Sequence, residues 1–217
     1  MNLREDQRRW LADAQAQWND VMQPGAQPLG THLFGPPLSP PDAAMASARL
    51  FATRSAALHA LPRGGAIAEL GTQAGRYARQ ILDVCQPEAL HLFDLEFDTL
   101  RAKAPEVAAD PRVHLHVGDS STNLEAFPDR SFDWIYIDGD HSEGGVQRDA
   151  SCGAGKIRDD GLLVFNNYTV WSPLELTDYG ILPVVNRMLA SGEWEVAYLA
   201  LHPLMYCDIA LRRPGRD

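Results

Sequence analysis

The sequence predicts a doubly wound α/β fold, a mostly parallel sheet with an antiparallel last strand, preceded by a helical extension. Three observations carry this. From residue 65 onward, short apolar or β-branched runs alternate with helix-compatible segments. Five successive runs end in polar residues. After Asn186 the alternation gives way to two strand-like runs, GEWEVAYLAL and MYCDIALRR, separated by His202 and Pro203.

The 217 residues favour one domain with an extension, read as residues 1–60 for the extension and 61–217 for the body. A body of that size buries enough surface to need no disulfide or structural metal. The net charge is −10, from 19 Lys and Arg against 29 Asp and Glu, and the densest basic stretch is only Arg212, Arg213 and Arg216. A binder that tracks phosphates along nucleic acid is therefore not expected. Hydrophobic residues at 45% and charged residues at 22% exclude the composition of disordered chains. No apolar run resembles a leader or a membrane span, so the expectation is a cytoplasmic protein away from membranes, with homo-oligomerisation left open. Cys85, Cys152 and Cys207 are too far apart for a CxxC motif and read as reduced thiols, with Cys85 and Cys207 in the core.

In chain order, Trp10, Leu11, Ala14, Trp18 and Val21 keep helical spacing and predict an amphipathic helix from Leu3 to about Val21. Pro24, Pro28, Pro36, Pro37, Pro40 and Pro41 interrupt it, and a second helix is expected from an N-cap at Asp42 to Leu61. This extension is either packing for the body or a lid over a pocket. The strands expected in the body are Ala66 to Glu69, Ala89 to Asp94, Val113 to Gly118, Phe132 to Asp138 and Leu162 to Asn166.

Ligands of open α/β sheets bind at the carboxyl ends of the strands. Here those ends carry Glu69, Asp94, Gly118 with Asp119, Asp138, and Asn166 with Asn167. The first turn holds Gly71 and Gly75 in GxxxG spacing, not the GxGxxG that cradles a pyrophosphate. Glu69 would also repel phosphates. The arrangement suits a cofactor with a positive centre and no phosphate, namely S-adenosylmethionine, and it disfavours the rival reading of an NAD-dependent oxidoreductase. Asp94 stands where a carboxylate accepts ribose hydroxyls, and Asp119 with Ser120 where polar groups meet an adenine edge.

The strings AELGTQAG, LFDLEFD, HVGDSS, DWIYIDGDHSEGGVQRD and DGLLVFNNYTVW resemble the class I S-adenosylmethionine-dependent methyltransferases, closest to the small-molecule O-methyltransferases of the catechol and caffeoyl-CoA type. The resemblance spans about residues 64 to 212 and implies a Rossmann-like sheet with a reversed last strand. It implies cofactor contacts from Glu69, Gly71, Thr72, Gln73, Gly75, Asp94, Leu95, Gly118, Asp119, Ser120, Asp138 and His141. In metal-dependent members Asp138, Asn166 and Asn167 would hold Mg²⁺ or another divalent cation, but two amides stand where the family has at least one more carboxylate. Asn at a strand end also serves simply to cap a turn. His141 is the expected general base, with Asp138 or Asp140 as substitutes. The expected reaction is methylation of a hydroxyl on a small-molecule acceptor. The alternative from another class is a module that binds the cofactor and transfers nothing. GAGK at Gly153 to Lys156 lacks the rest of a P-loop, and His114 and His116 share a strand face without an evident third ligand.

Overall fold

The computed structural model describes residues 4–21, 39–172, 174–175 and 177–215. The chain divides into two compact units, residues 1–37 and 38–217. In the first, α1 (Glu5–Val21) is a helix whose first turn carries Glu5 and Asp6, the favourable end of its dipole for acids. Arg9 pairs with Glu5 one turn back. The prolines at 24, 28, 36 and 37, and the side chains of Trp18 and Val21, lie outside the described residues.

The second unit begins with α2 (Asp42–Met45), β1 (Arg49–Phe51) and α3 (Arg54–Leu58). The helix expected from Asp42 to Leu61 is thus broken by a strand. Arg49 to Phe51 pair in parallel with Tyr198 to Ala200, and the Phe51 ring meets Tyr198 edge-on at 5.5 Å. Thr53 then starts α3 afresh, its hydroxyl accepting from the Ala56 amide at 3.1 Å. Helical spacing in the sequence loses here to a strand edge supplied from far along the chain.

The body follows as β2 (Ala66–Leu70), α4 (Arg76–Val84), β3 (Ala89–Asp94), α5 (Asp98–Lys103), α6 (Pro105–Ala108), β4 (Val113–Val117), α7 (Ser120–Glu125), β5 (Phe132–Ile137), α8 (Glu143–Lys156) and β6 (Ile157–Phe165). A small pair, β7 (Trp171–Ser172) and β8 (Thr177–Asp178), precedes α9 (Ile181–Ala190), β9 (Glu195–Ala200) and β10 (Asp208–Arg212). The large sheet runs β1-β9-β10-β6-β5-β2-β3-β4, with β10 antiparallel to both β6 and β9 and the other pairs parallel. This is a Rossmann-like, doubly wound sheet with one reversed strand.

The central strands β2, β5 and the second half of β6 are nearly all apolar because both faces are covered. Successive side chains alternate between two cores. Ile67, Leu90, Leu92 and Trp134 pack against Ala57, Leu58 and Ile81, whereas Leu70, Phe93, Ile135 and Leu163 pack against Val146, Val184 and Val185. Cys85 and Cys207 are buried as expected, and the three cysteines are free. From β2 the chain runs outward through β3 and β4, then returns to β5 on the other side. The crevice between the ends of β2 and β5 is therefore the topological switch point where such sheets bind ligands.

His114 and His116 do have a neighbour that spacing alone did not indicate. His91, across the β3 to β4 ladder, bonds His116 through ring nitrogens 3.0 Å apart and stacks on His114 at 4.8 Å. Burial first, then the two neighbouring imidazoles, push His91 down from 6.5 to about 4. The fold therefore holds it neutral, while the unfolded chain takes up a proton below about 6.5. Its contribution to stability is present above that pH and lost as the pH falls toward about 4. The drop in Tm between pH 7 and pH 4.5 should be smaller in His91→Phe than in the parent chain. Equal drops would count against the cluster as an acid-sensitive element.

Candidate functional site

A cavity of about 800 Å³ opens at the carboxyl ends of β2, β3, β5 and β6. That volume is in the range of small-molecule and cofactor sites. It gathers Glu69, Gly71, Thr72, Gln73, Asp94, Leu95, Gly118, Asp119, Ser120, Asp138, Asp140, His141, Asn166 and Asn167. Gly75 does not line it. At φ +69° it caps α4, and an added Cβ there would strike the Leu100 side chain, so its smallness serves packing.

The floor is a turn of unusual backbone. Gly71 has φ +87° and Gln73 φ +49°. A Cβ on Gly71 would fall on the Asp138 carbonyl, which is how closely the ends of β2 and β5 approach. The Asp138 amide donates to the Leu70 carbonyl at 2.8 Å and the Gly71 amide to Phe93 at 2.8 Å. Left-handed conformation at a non-glycine residue costs energy, and here it is held by Asp94. Asp94 Oδ2 accepts the amides of Thr72 and Gln73 at 2.9 and 2.7 Å, and Oδ1 accepts that of Leu95 at 2.7 Å. Oδ2 is thereby filled. Oδ1 keeps one lone pair for a hydroxyl, so Asp94 both shapes the turn and stays available to a ribose.

Glu69 is 1% exposed, and its Oε2 has no hydrogen-bond partner. Burial first, then Asp138 and Asp94, raise its pKa well above the ordinary value. A buried carboxyl without a partner is costly and is relieved by a cationic ligand group. The sulfonium and ammonium of S-adenosylmethionine supply such groups, so the residues present fit that cofactor.

Asp119 caps α7. Its Oδ1 accepts from the Thr122 amide and hydroxyl, both at 2.8 Å, and from the Ser121 hydroxyl at 2.7 Å. The Thr122 amide and these hydroxyls hold its pKa below the usual carboxylate value. Asp140 lines the cavity with its carboxylate already engaged: it accepts the Ser142 amide at 2.9 Å and lies 3.6 Å from Arg148. Its surroundings are those of a helix-start residue rather than of a base.

His141 is better placed. Its ring stacks on Tyr179 at 4.4 Å with planes 12° apart, which fixes its orientation. Nε2 lies 3.3 Å from the Asn167 amide nitrogen and 3.5 Å from Asp138 Oδ1. The Asn167 amide can only donate from that nitrogen, which leaves Nε2 the acceptor of the neutral imidazole. Asn167 has φ +59°, a conformation Asn tolerates, and that backbone aims the amide.

The donor set does not fit the expected divalent cation. Asn166 donates its Nδ2 to Asp138 Oδ1, and its Oδ1 accepts from Arg54 Nη2 at 2.6 Å. A guanidinium has no acceptor, so the amide oxygen must face Arg54 and cannot face an ion at Asp138. Among the described residues no group of three His, Cys, Asp or Glu could hold a metal ion.

Sequence reasoning missed Arg54, Asp208 and Asp149. Arg54 comes from the segment read as extension, at the start of α3. Asp208, 1% exposed, lies 3.0 Å from Arg54 and accepts the Tyr136 hydroxyl at 3.0 Å. Burial pushes its carboxyl up to about 7, against the pull of Arg54. Asp149 on α8 also lines the cavity, and burial, then Asp119, raise it to about 7. Only a polar residue inside an otherwise apolar run, as in CDIAL, signalled Asp208.

Residues 68–168, less than half of the chain, match the family model described as a methyltransferase domain. The comparison with curated proteins returned no match. Among solved structures, the chain is similar to the pyocyanin biosynthetic protein PhzM, with 21% identity, 73% of this chain and 54% of that one covered, and TM-score 0.53. It is similar to a candidate O-methyltransferase from Klebsiella pneumoniae, with 17% identity, coverage of 69% and 73%, and TM-score 0.54. It is also similar to the DhpI–SAH complex, with 15% identity, coverage of 74% and 82%, and TM-score 0.52. The chain spans 54% to 59% of the length of the first structures it matches. The match places a methyltransferase domain at residues 68–168, and the solved structures share the fold of the body.

Proposed function

We propose that this chain transfers the methyl group of S-adenosylmethionine to a hydroxyl of a small-molecule acceptor. The observation that carries this reading is Glu69, a buried carboxyl whose Oε2 has no hydrogen-bond partner, at the switch point of the sheet beside Asp94 and Asp138. Bound S-adenosylmethionine supplies a methyl carbon already activated by a sulfonium, so the protein has to align the acceptor and remove its proton. When the cofactor is bound, Glu69 and the Gly71 turn would hold its methionine end, Asp94 its ribose, and Asp119 with Ser120 its adenine, leaving the residues at the ends of β5 and β6 to the acceptor. There His141 Nε2, exchanging its hydrogen bond from Asn167 for one from the acceptor hydroxyl, takes the acceptor proton, and Asp138 stabilises the resulting imidazolium.

Calorimetric titration with S-adenosylmethionine and S-adenosylhomocysteine tests the cofactor half. Saturable binding of both is expected, and no binding of either at millimolar concentration would overturn it. The second reading, a module that binds without transferring, draws on the amides at Asn166 and Asn167. A radiolabelled methyl group that reaches no hydroxyl acceptor, from protein that does bind the cofactor, would favour that reading. Partners other than a small molecule are not proposed: the net charge of −10 argues against nucleic acid, and no helix among the described residues is long and apolar enough to cross a membrane.

A further inference from the structure

A cation does stand at the acceptor end of this cavity, and it is covalently part of the chain. Arg54 projects from the first position of α3 to the end of β6, 27% exposed along its side chain, and lines the cavity. Its Nη2 is anchored from two sides, by the Asn166 carbonyl at 2.6 Å and by the buried Asp208 at 3.0 Å. We propose that Arg54 takes the place of a divalent cation at the acceptor end, so that the acceptor oxygen is positioned by a fixed guanidinium and the chain holds no metal at Asp138.

Three observations converge on this. Asn166, the first of the two amides that replace acids, has its oxygen bound by Arg54 and an amide N–H donated to Asp138 Oδ1. An ion at Asp138 Oδ1 would have to displace that hydrogen and then sit near a guanidinium of like charge. Asp208, which holds Arg54, is itself fixed by the Tyr136 hydroxyl, so the cation is set in a rigid chain of contacts from β5 through β10 to α3. Burial opposes the Arg54 charge, but the neighbouring acids Asp208 and Asp138 act the other way, and the guanidinium stays charged. The recorded polar contacts of the guanidinium run through Nη2, and the group lines the cavity, where it can meet a ligand oxygen.

The chemical consequence concerns the acceptor class. A divalent ion chelates two neighbouring oxygens, whereas a guanidinium donates hydrogen bonds to an anionic oxygen. The suited acceptor therefore carries a carboxylate or an acidic hydroxyl facing Arg54 and needs no vicinal pair. This acceptor half rests on the methyltransferase reading; the metal half does not.

Two measurements separate them. Mn²⁺ titration of the apoprotein, followed by electron paramagnetic resonance, is expected to show no saturable binding at the site. The Arg54→Ala/Asn166→Asp variant should bind Mn²⁺ about tenfold or more tightly than the parent, and adding Asp138→Ala should abolish the gain. Saturable Mn²⁺ binding by the parent chain that Asp138→Ala removes would overturn the proposal without any reference to activity, and so would a double variant that folds and gains nothing. For the acceptor half, Arg54→Lys should raise the KM for a phenolic carboxylate about tenfold and leave the KM for an uncharged phenol within twofold. Equal effects on the two acceptors would overturn that half, and saturable S-adenosylhomocysteine binding by the same variant reports separately on the cofactor site.

Discussion

Gly71→Val is expected to weaken S-adenosylmethionine binding by more than about 100-fold, the loss of at least one charge-assisted contact together with the geometry of the turn. A valine Cβ would fall on the Asp138 carbonyl, and φ +87° is a conformation that β-branched residues avoid. The chain can accommodate it only by parting the ends of β2 and β5, which moves Glu69 and Asp138 away from one another. The check is calorimetric titration beside a far-ultraviolet circular dichroism spectrum, to separate a lost site from a lost fold. A folded variant that binds within threefold of the parent would remove the turn from the cofactor site. Gly75→Ala makes the control: it should lower Tm through the clash with Leu100 and leave affinity within a few-fold, because Gly75 does not line the cavity.

His141→Ala should lower methyl-transfer turnover by about 10²- to 10⁴-fold, the usual worth of a positioned general base. Single-turnover transfer of a labelled methyl group measures it, with cofactor affinity recorded alongside. The imidazole is held by its Tyr179 stack and by Asn167, so the loss should fall on the chemical step more than on binding. A variant that keeps turnover within threefold would exclude His141 as the base. Asp140→Ala should leave turnover nearly unchanged, since its carboxylate is engaged with Ser142 and Arg148.

The body was legible in the sequence because its strands are buried on both faces and end in turns. Ala89 to Asp94 matches β3 from first residue to last, and the terminal antiparallel pair stands where GEWEVAYLAL and MYCDIALRR placed it. The acids at the strand ends were legible for the same reason: a strand fixes where its last side chain stands. The rest depended on long-range partners. Nothing within RLF specifies a strand without the edge of β9 beside it, and nothing within TRSAAL marks Arg54 as a site residue without Asp208 and Asn166. Spacing also could not show that the Asn166 oxygen faces a guanidinium, which depends on what packs opposite.

The pairing of β1 with β9 has a consequence for the order of assembly. Arg49 to Phe51 are synthesised long before their partners, Tyr198 to Ala200, and Asp208 follows later still. Contacts of such sequence separation form slowly, after local helices and neighbouring strands are in place. A nascent chain halted before Asp208 would already have Glu69, Asp94 and Asp138 on their strand ends. It would still lack the acid that fixes Arg54 and the strand that closes the edge of β6. Completion of the acceptor end thus waits for Asp208, and a product truncated before it would expose an unpaired strand edge, which invites aggregation and removal.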